Sequence, residues 1–334
     1  MNEAMSIPAM GHATCGGHVT LLFTVEDSEM EPYLQGSRGA GLCLDTGCKV
    51  SVRGVVGQWG VNVNFRGFEG SEDIVKGIFD VVSQDLPRIR KMKWDAVVTN
   101  HLPTSQGFGM SAALAIAVSR AIQRAIGEEY ELSLRRSLLH AHIAERLSSS
   151  GLGDVTGISA GGVEIRTSPG APFHGDGLQK GPGVALGWFQ DMEMTLVWPK
   201  EKGHHTSEYI DDLGWKMSIS DSGRASMLSL VDMWGPSCWP ILLSSARSFV
   251  EQSGLLSDGG RGGLLEAVNS VIARTDEQAV ASLCLLGNSI VITRNDLMST
   301  VNLGIIEAAL SETGLLFRRA VSYTHLRAHE TARH

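Results

Sequence analysis

The sequence predicts an α+β protein, and three observations lead there. Alternating apolar stretches and stretches of helical spacing both occur, without the regular strand–helix–strand rhythm of a doubly wound sheet. A Gly- and Pro-rich stretch, Gly170–Gly183, is the best division of the chain into two parts. A glycine turn, Pro103-Thr104-Ser105-Gln106-Gly107-Phe108-Gly109-Met110-Ser111-Ala112-Ala113, runs directly into the helix opening Leu114-Ala115-Ile116-Ala117-Val118.

In chain order, His18–Val25 reads as a strand and Gly41–Leu44 as a short one. Val50–Val63 alternates through Val50, Val52, Val61 and Val63 around Gly57 and Gly60. Asp73–Ser83 has helical spacing, and Trp94–Val98 is a strand leading into the glycine turn. Leu114, Val118, Ile122 and Ala125 line a helix that stops near Gly127. Ser133 is expected to cap the next helix, Leu134–Leu147, which ends at Ser148-Ser149-Ser150-Gly151. Ala160–Arg166 reads as a turn into a strand. Beyond the division, Met192–Trp198 and Ser289–Thr293 are strands. Ala225–Met233, Ala246–Glu251, Gly262–Arg274 and Met298–Glu312 are helical. The expected domains are 1–182 and 183–320. The remaining segment, Val321–His334, is polar and weakly patterned, and is read as a disordered tail of non-native character. His325 and His329 there are four apart but lack a third metal ligand nearby.

A chain of 334 residues can bury one large or two medium cores. The net charge of −8 argues against a general nucleic-acid binder, which needs a basic face, but not against binding a nucleotide. Five cysteines, without a Cys-x-x-Cys pair, fit reduced thiols in a cytoplasm. No apolar run reaches the length of a membrane span, and the N-terminus lacks the layout of a secretion signal.

A glycine turn at a helix N-terminus leaves backbone N–H groups and the positive end of the helix dipole to meet an anion, most often a phosphate. Gly107 and Gly109 let the backbone approach a ligand closely, and Ser111 offers a hydroxyl to the anion or its metal. The Walker A pattern is absent, and the Rossmann spacing fails because Ala112 stands where a third glycine is needed. Glu145, late on the following helix, and Asp154, in Gly151-Leu152-Gly153-Asp154, can face one pocket. One carboxylate could hold Mg²⁺ and the other receive a proton from an attacking hydroxyl, which is most of what phosphoryl transfer requires.

These residues resemble the GHMP small-molecule kinases, whose loop Pro-x-x-x-Gly-Leu-Gly-Ser-Ser-Ala-Ala is matched from Pro103 to Ala113, with Met110 in place of the first serine. The closer similarity is to the archaeal pantoate kinase branch. It is carried by Gly17-His18-Val19-Thr20, Gly36-Ser37-Arg38-Gly39-Ala40-Gly41, the Gly-Phe-Gly-Met-Ser loop, Gly151–Asp154, Gly161–Pro172 and Cys284–Ser289. Gly16 departs from the proline usual before Gly-His, and the earlier Gly11-His12 is read as a decoy. The resemblance implies a two-domain GHMP kinase fold, with an N-terminal domain like ribosomal protein S5, a C-terminal α/β sandwich and the active site between them. It implies ATP and Mg²⁺ as cofactors and phosphorylation of the primary hydroxyl of pantoate on the archaeal route to coenzyme A.

On that resemblance Pro103, Ser105, Gly107, Phe108, Gly109, Met110, Ser111 and Ala112 bind ATP. Ser111 and Glu145 hold the metal, with Glu145 and Asp154 catalytic. His18, Ser37, Arg38 and Arg166 bind substrate, either arginine being suited to a carboxylate. A small-molecule substrate, no nucleic-acid or membrane partner, a homodimer and a cytoplasmic location complete the expectation. Homoserine, shikimate or a mevalonate-type alcohol as acceptor, or an inactive nucleotide-binding regulator, are the alternatives.

Overall fold

The computed structural model describes residues 7–200 and 207–322. The chain opens with two long strands, β1 (Ala9–Phe23) and β2 (Gly39–Val56), paired antiparallel almost throughout. Then come β3 (Gly60–Gly67), α1 (Glu72–Asp85), β4 (Met92–Asn100), α2 (Met110–Ala125), α3 (Tyr130–Leu147), α4 (Asp154–Ala160) and β5 (Val163–Ser168). A small hairpin, β6 (Phe173–His174) with β7 (Gln179–Lys180), precedes β8 (Val184–Trp188). The first sheet runs β3-β4-β2-β5-β8, with β1 on β2. The chain continues through β9 (Glu193–Trp198), α5 (Ser207–Ile210), α6 (Leu213–Leu228), α7 (Trp239–Gln252) and α8 (Arg261–Ala273). It closes with β10 (Ala279–Leu283), β11 (Ile290–Arg294), α9 (Leu303–Leu310) and β12 (Leu316–Val321). The second sheet, β10-β11-β9-β12, is antiparallel throughout.

Burial along β1 explains how the layers meet. Its first half alternates between buried and exposed residues, whereas from Gly17 to Phe23 every residue is buried. Helix α2 lies against β1 and β2, and α6 and α7 reach the same strand from the second half of the chain. Small residues make these approaches possible. A Cβ on Gly11 would stand 2.6 Å from Ala125 N, and one on Gly223 would stand 2.7 Å from Phe23 C. One continuous core results, running from Trp94, Phe79 and Ile116 to Trp239, Phe249 and Leu196.

Several elements differ from the sequence reading. Val50–Val63 belongs to two strands that are not neighbours, because β4 inserts between them and pairs parallel with β3. Gly41–Leu44 is part of the 18-residue β2. Helix α3 starts at Tyr130, capped by the Glu129 carboxylate, which accepts from Glu131 N (3.0 Å) and Leu132 N (2.8 Å). Ser133 therefore lies inside the helix; the longer glutamate is not among the usual short caps. Helix α6 ends at Leu228, followed by a separate 3₁₀ turn at Val231–Met233, and α9 is shorter than Met298–Glu312. The hairpin in Gly170–Gly183 leads into β8, which pairs with β5, so the first sheet extends past Gly183 to Trp188. Val321 pairs with Glu193, and Ser322 N donates to Met192 O at 2.9 Å, so these two residues belong to the fold and not to the tail. The rest of the expected tail, with His325 and His329, lies outside the described residues.

Replacing Gly223 by alanine should force α6 off β1 and cost about 1–3 kcal/mol, the usual range for overpacking. A lowered midpoint in chemical denaturation with an unchanged slope would show it.

Candidate active site

The glycine turn has the backbone its sequence implies. Gly107 and Gly109 adopt φ of +78° and +59°, in the left-handed region that glycine enters without penalty. Gly109 is the N-cap of α2 and supplies no side-chain cap, which leaves the first N–H groups of that helix for other acceptors. The turn is clamped from both sides. His18 N donates to Phe108 O at 2.9 Å, and Ser289 Oγ donates to Gln106 O. A Cβ on Gly107 would meet Cys284 C at 2.8 Å and Gly287 N at 3.0 Å. Buried Arg261 supports the 284–289 turn by donating to Gly287 O (2.9 Å) and Leu286 O (3.0 Å).

The side chains of Phe108, Met110 and Ala112 are buried in the core, and Phe108 packs edge-on against Trp198 of β9 at 5.5 Å. What these residues can present to a ligand is backbone. Pro103 is half-buried, and Ser105 is exposed with a φ of +59°.

Ser111 Oγ donates to Glu145 Oε1, and Ser150 Oγ reaches the same oxygen at 3.3 Å. Burial, reinforced by the nearby Asp154 charge, raises the Glu145 carboxyl to about 7. Asp154 goes the other way. Burial would raise it, but hydrogen bonds from His18 and Thr20 and the His18 and Arg166 charges hold it below the usual carboxylate range. Two nearby acids thus have separated titrations, the arrangement that assigns different roles to chemically similar groups.

His18 is the hinge of this contrast. Its Nδ1 lies 2.9 Å from Asp154 Oδ1 and its Nε2 lies 3.0 Å from Glu164 Oε1. Burial works against the imidazolium, but the two carboxylates outweigh it and raise the His18 pKa. Protonated on both nitrogens, the ring donates to both acids. Arg166 Nη1 donates to Glu164 Oε1 at 2.7 Å, and Thr20 Oγ1 donates to Asp154 Oδ1 at 3.0 Å. Gly153 and Gly157 leave room for this chain of charges. A Cβ on Gly157 would stand 2.7 Å from His18 Nε2, and one on Gly153 would stand 2.9 Å from Arg166 Nε and against Ser37 Oγ.

Two cavities meet here. One, of about 50 Å³, is lined by Thr20, Ser37, Ser150, Gly153 and Asp154. The other, of about 190 Å³, is lined by Ile74, Gly77, Glu145, Ser148 and Ser150. Ser150 borders both. Among the described residues no three His, Cys, Asp or Glu side chains gather as a metal cage.

Residues 73–162 match the GHMP kinases N-terminal domain. The chain is 30% identical to the pantoate kinase of Thermococcus kodakarensis over 241 residues, covering 72% of this chain and 74% of that one. The GHMP kinase family is where this chain belongs. It is also 29% identical to the pantoate kinase of Methanospirillum hungatei JF-1, over 47% of this chain and 53% of the relative. A solved structure described as a phosphotransferase related to the CoA biosynthesis pathway superimposes with a TM-score of 0.74 at 25% identity, covering 95% of this chain and 97% of that one.

The residues singled out in this GHMP kinase are not all gathered. Ser111, Glu145, Asp154, His18, Ser37 and Arg166 come together. Arg38 does not. Its Nε and Nη2 donate to Glu26 Oε1 at 3.3 and 2.9 Å, its side chain is 39% exposed, and it does not line the Asp154 cavity. The rival Gly11-His12 leads away from the site: His12 is exposed and bonds Ser51 Oγ at 2.8 Å. Sequence reasoning missed Thr20, Ser150 and Glu164. A strand places residues two apart on one face, so Gly17-His18-Val19-Thr20 and Glu164-Ile165-Arg166 each carried the signal for a neighbour.

Removing Glu164 should strand two cationic partners in the interior. Glu164→Ala is expected to lose about 3–5 kcal/mol of stability in chemical denaturation, the range for breaking a buried ion pair.

Glu145 gives a prediction of opposite sense. The folded carboxyl holds its proton more tightly than an unfolded one, so its contribution to stability falls as pH rises from about 4.5 to about 7. The stability of Glu145→Gln relative to the unsubstituted protein should therefore rise across that window by up to about 3 kcal/mol and then level off. Unfolding curves recorded from pH 4 to 8 test this.

Proposed function

We propose that this GHMP kinase transfers the γ-phosphoryl group of ATP to the primary hydroxyl of pantoate, forming 4-phosphopantoate for coenzyme A synthesis in an archaeal cell. The observation that carries the chemistry is the pair of separated acids: Asp154 kept ionised by His18, and Glu145 facing Ser111 beside the glycine turn. The acceptor rests on the similarity to two pantoate kinases and to a phosphotransferase related to CoA biosynthesis.

In this reading the backbone of the 103–109 turn and the first turn of α2 hold the nucleotide phosphates. Ser111 and Glu145 would hold Mg²⁺, a hard cation that commonly takes one or two protein oxygens beside substrate phosphates and water. The fit is supported by a carboxylate that burial makes costly to ionise and that a cation would relieve. When bound, Mg²⁺ neutralises charge on the transferring group.

Asp154 accepts a hydrogen bond from the pantoate hydroxyl and aims its oxygen at phosphorus. Held low by His18, its carboxylate is a weak base, so it orients the nucleophile early and takes the proton late, as the new O–P bond forms and the bond to the ADP oxygen breaks. Arg166 is favoured over Arg38 for the substrate carboxylate. Its buried Nε and Nη2 have no hydrogen-bond partner, and it lies against Gly153 beside Ser37, whereas Arg38 spends two donors on Glu26.

All five cysteines are free and buried, which supports a reducing, cytoplasmic setting. No helix among the described residues is long and apolar enough to cross a membrane. A homodimer is the assembly we expect.

Purified protein with ATP, Mg²⁺ and pantoate should release ADP in a coupled assay. Asp154→Asn should lower kcat by about 10²–10⁴-fold while leaving nucleotide affinity unchanged. Turnover of homoserine, shikimate or mevalonate without turnover of pantoate would overturn the acceptor. Nucleotide binding without turnover on any acceptor would overturn the kinase reading.

A further inference from the structure

A larger cavity, of about 270 Å³, shares no lining residue with the two that meet at Ser150. It opens where β4 and β5 part along one edge of β2. The pairing of β2 with β5 ends at Leu42 and its pairing with β4 begins at Cys48. Between them the register with β1 also breaks, at Gly16/His18.

The charges around this opening are one-sided in a chain whose net charge is −8. The cationic side chains of Lys49, Arg120 and Arg318 line it together with the His101 ring, against the single carboxylate of Asp45. That carboxylate is already engaged, Oδ1 accepting from Val321 N at 2.9 Å and from Thr46 Oγ1 at 3.0 Å. Arg318 is fixed at the mouth by donating from Nη1 to His101 O at 2.6 Å. Lys49 is exposed and has no ion pair among the described residues. Arg120, 1% exposed, forms part of the inner wall. The Lys49 and Arg318 charges on a concave opening focus potential on it and draw in anions.

We propose that this cavity binds a small organic anion through phosphate or carboxylate oxygens, held between Lys49 and Arg318 with His101 beside them. Its volume accommodates a solute of roughly ten heavy atoms. The site is separate from the one assigned to phosphoryl transfer. Its back wall is nonetheless continuous with that site, since Gly16 and Gly17 line the cavity and His18 is the next residue.

Isothermal titration of the full chain with inorganic phosphate, and separately with malonate, tests the proposal and tells the two anion sources apart. At least one should bind, and the double variant Lys49→Met/Arg318→Met should weaken it by about tenfold or more. Both side chains are exposed, so the variant should melt like the parent. The His101 ring gives a second, local readout by NMR. Burial and the Arg318 and Lys49 charges hold its pKa below the usual value, and a bound anion should raise it. No binding of either anion up to about 10 mM, or unchanged affinity in the double variant, would overturn the proposal. An isotherm lost in Ser111→Ala but kept in the double variant would place the anion at the glycine turn and overturn it equally. ADP release with pantoate is a separate measurement, so either reading can fail without the other.

Discussion

The arrangement of the site depends on a row of alternating charge, half-buried at Asp154 and fully buried at His18, Glu164 and Arg166. Its four members come from three elements of the first sheet or packed against it. His18 sits on β1, Glu164 and Arg166 on β5, and Asp154 on the first residue of α4. Burying any one charge alone would cost several kcal/mol, and the row is tolerable because opposite charges sit within hydrogen-bond distance along it. The consequence is positional. Asp154 is tied to the centre of the sheet through a ring that cannot rotate without breaking a bond at each nitrogen.

The same ring sets the electrostatics. His18 beside Asp154 favours that carboxylate's ionised form, while Glu145 has hydroxyl partners in Ser111 and Ser150 and is raised by burial and by the Asp154 charge. His18 also reaches the glycine turn, since its backbone N–H donates to Phe108 O and its atoms fill the space a Cβ on Gly109 would need. One residue therefore couples the acid to the phosphate-type loop, through its ring on one side and its backbone on the other.

How much of this was legible in the sequence depends on the kind of interaction. Gly107 and Gly109 announced a turn of closely approaching backbone, and both lie where a Cβ would strike the backbone of Cys284 or His18. Glu145 and Asp154 were legible because a helix end followed by a glycine break confines both to one short stretch of chain. Arg38 misled, because its partner Glu26 reaches it only through the pairing of Glu26 with Gly36 across a connection that has no sequence signature. Glu164 falls inside the Gly161–Pro172 segment, where nothing in the sequence gives it a role. Its partner His18 lies 146 residues away, and only the position of β5 beside β2 brings them into contact. Local backbone states and short-range gatherings can be read from one chain; charge pairing across a sheet needs the topology.

Clamping from the second half of the chain explains why the loop can be so rich in glycine without losing its shape. Glycine gives up the most backbone entropy on folding, so a loop containing two left-handed glycines is ordered only if neighbours hold it. Here the hold comes from β1 on one side and from the Cys284–Ser289 turn on the other, and that turn is itself fixed by the buried Arg261 guanidinium. The loop therefore belongs energetically to both halves. Any loss of contact between the second half of the chain and β1 would release the 284–289 turn and, with it, one of the two clamps on the glycine loop.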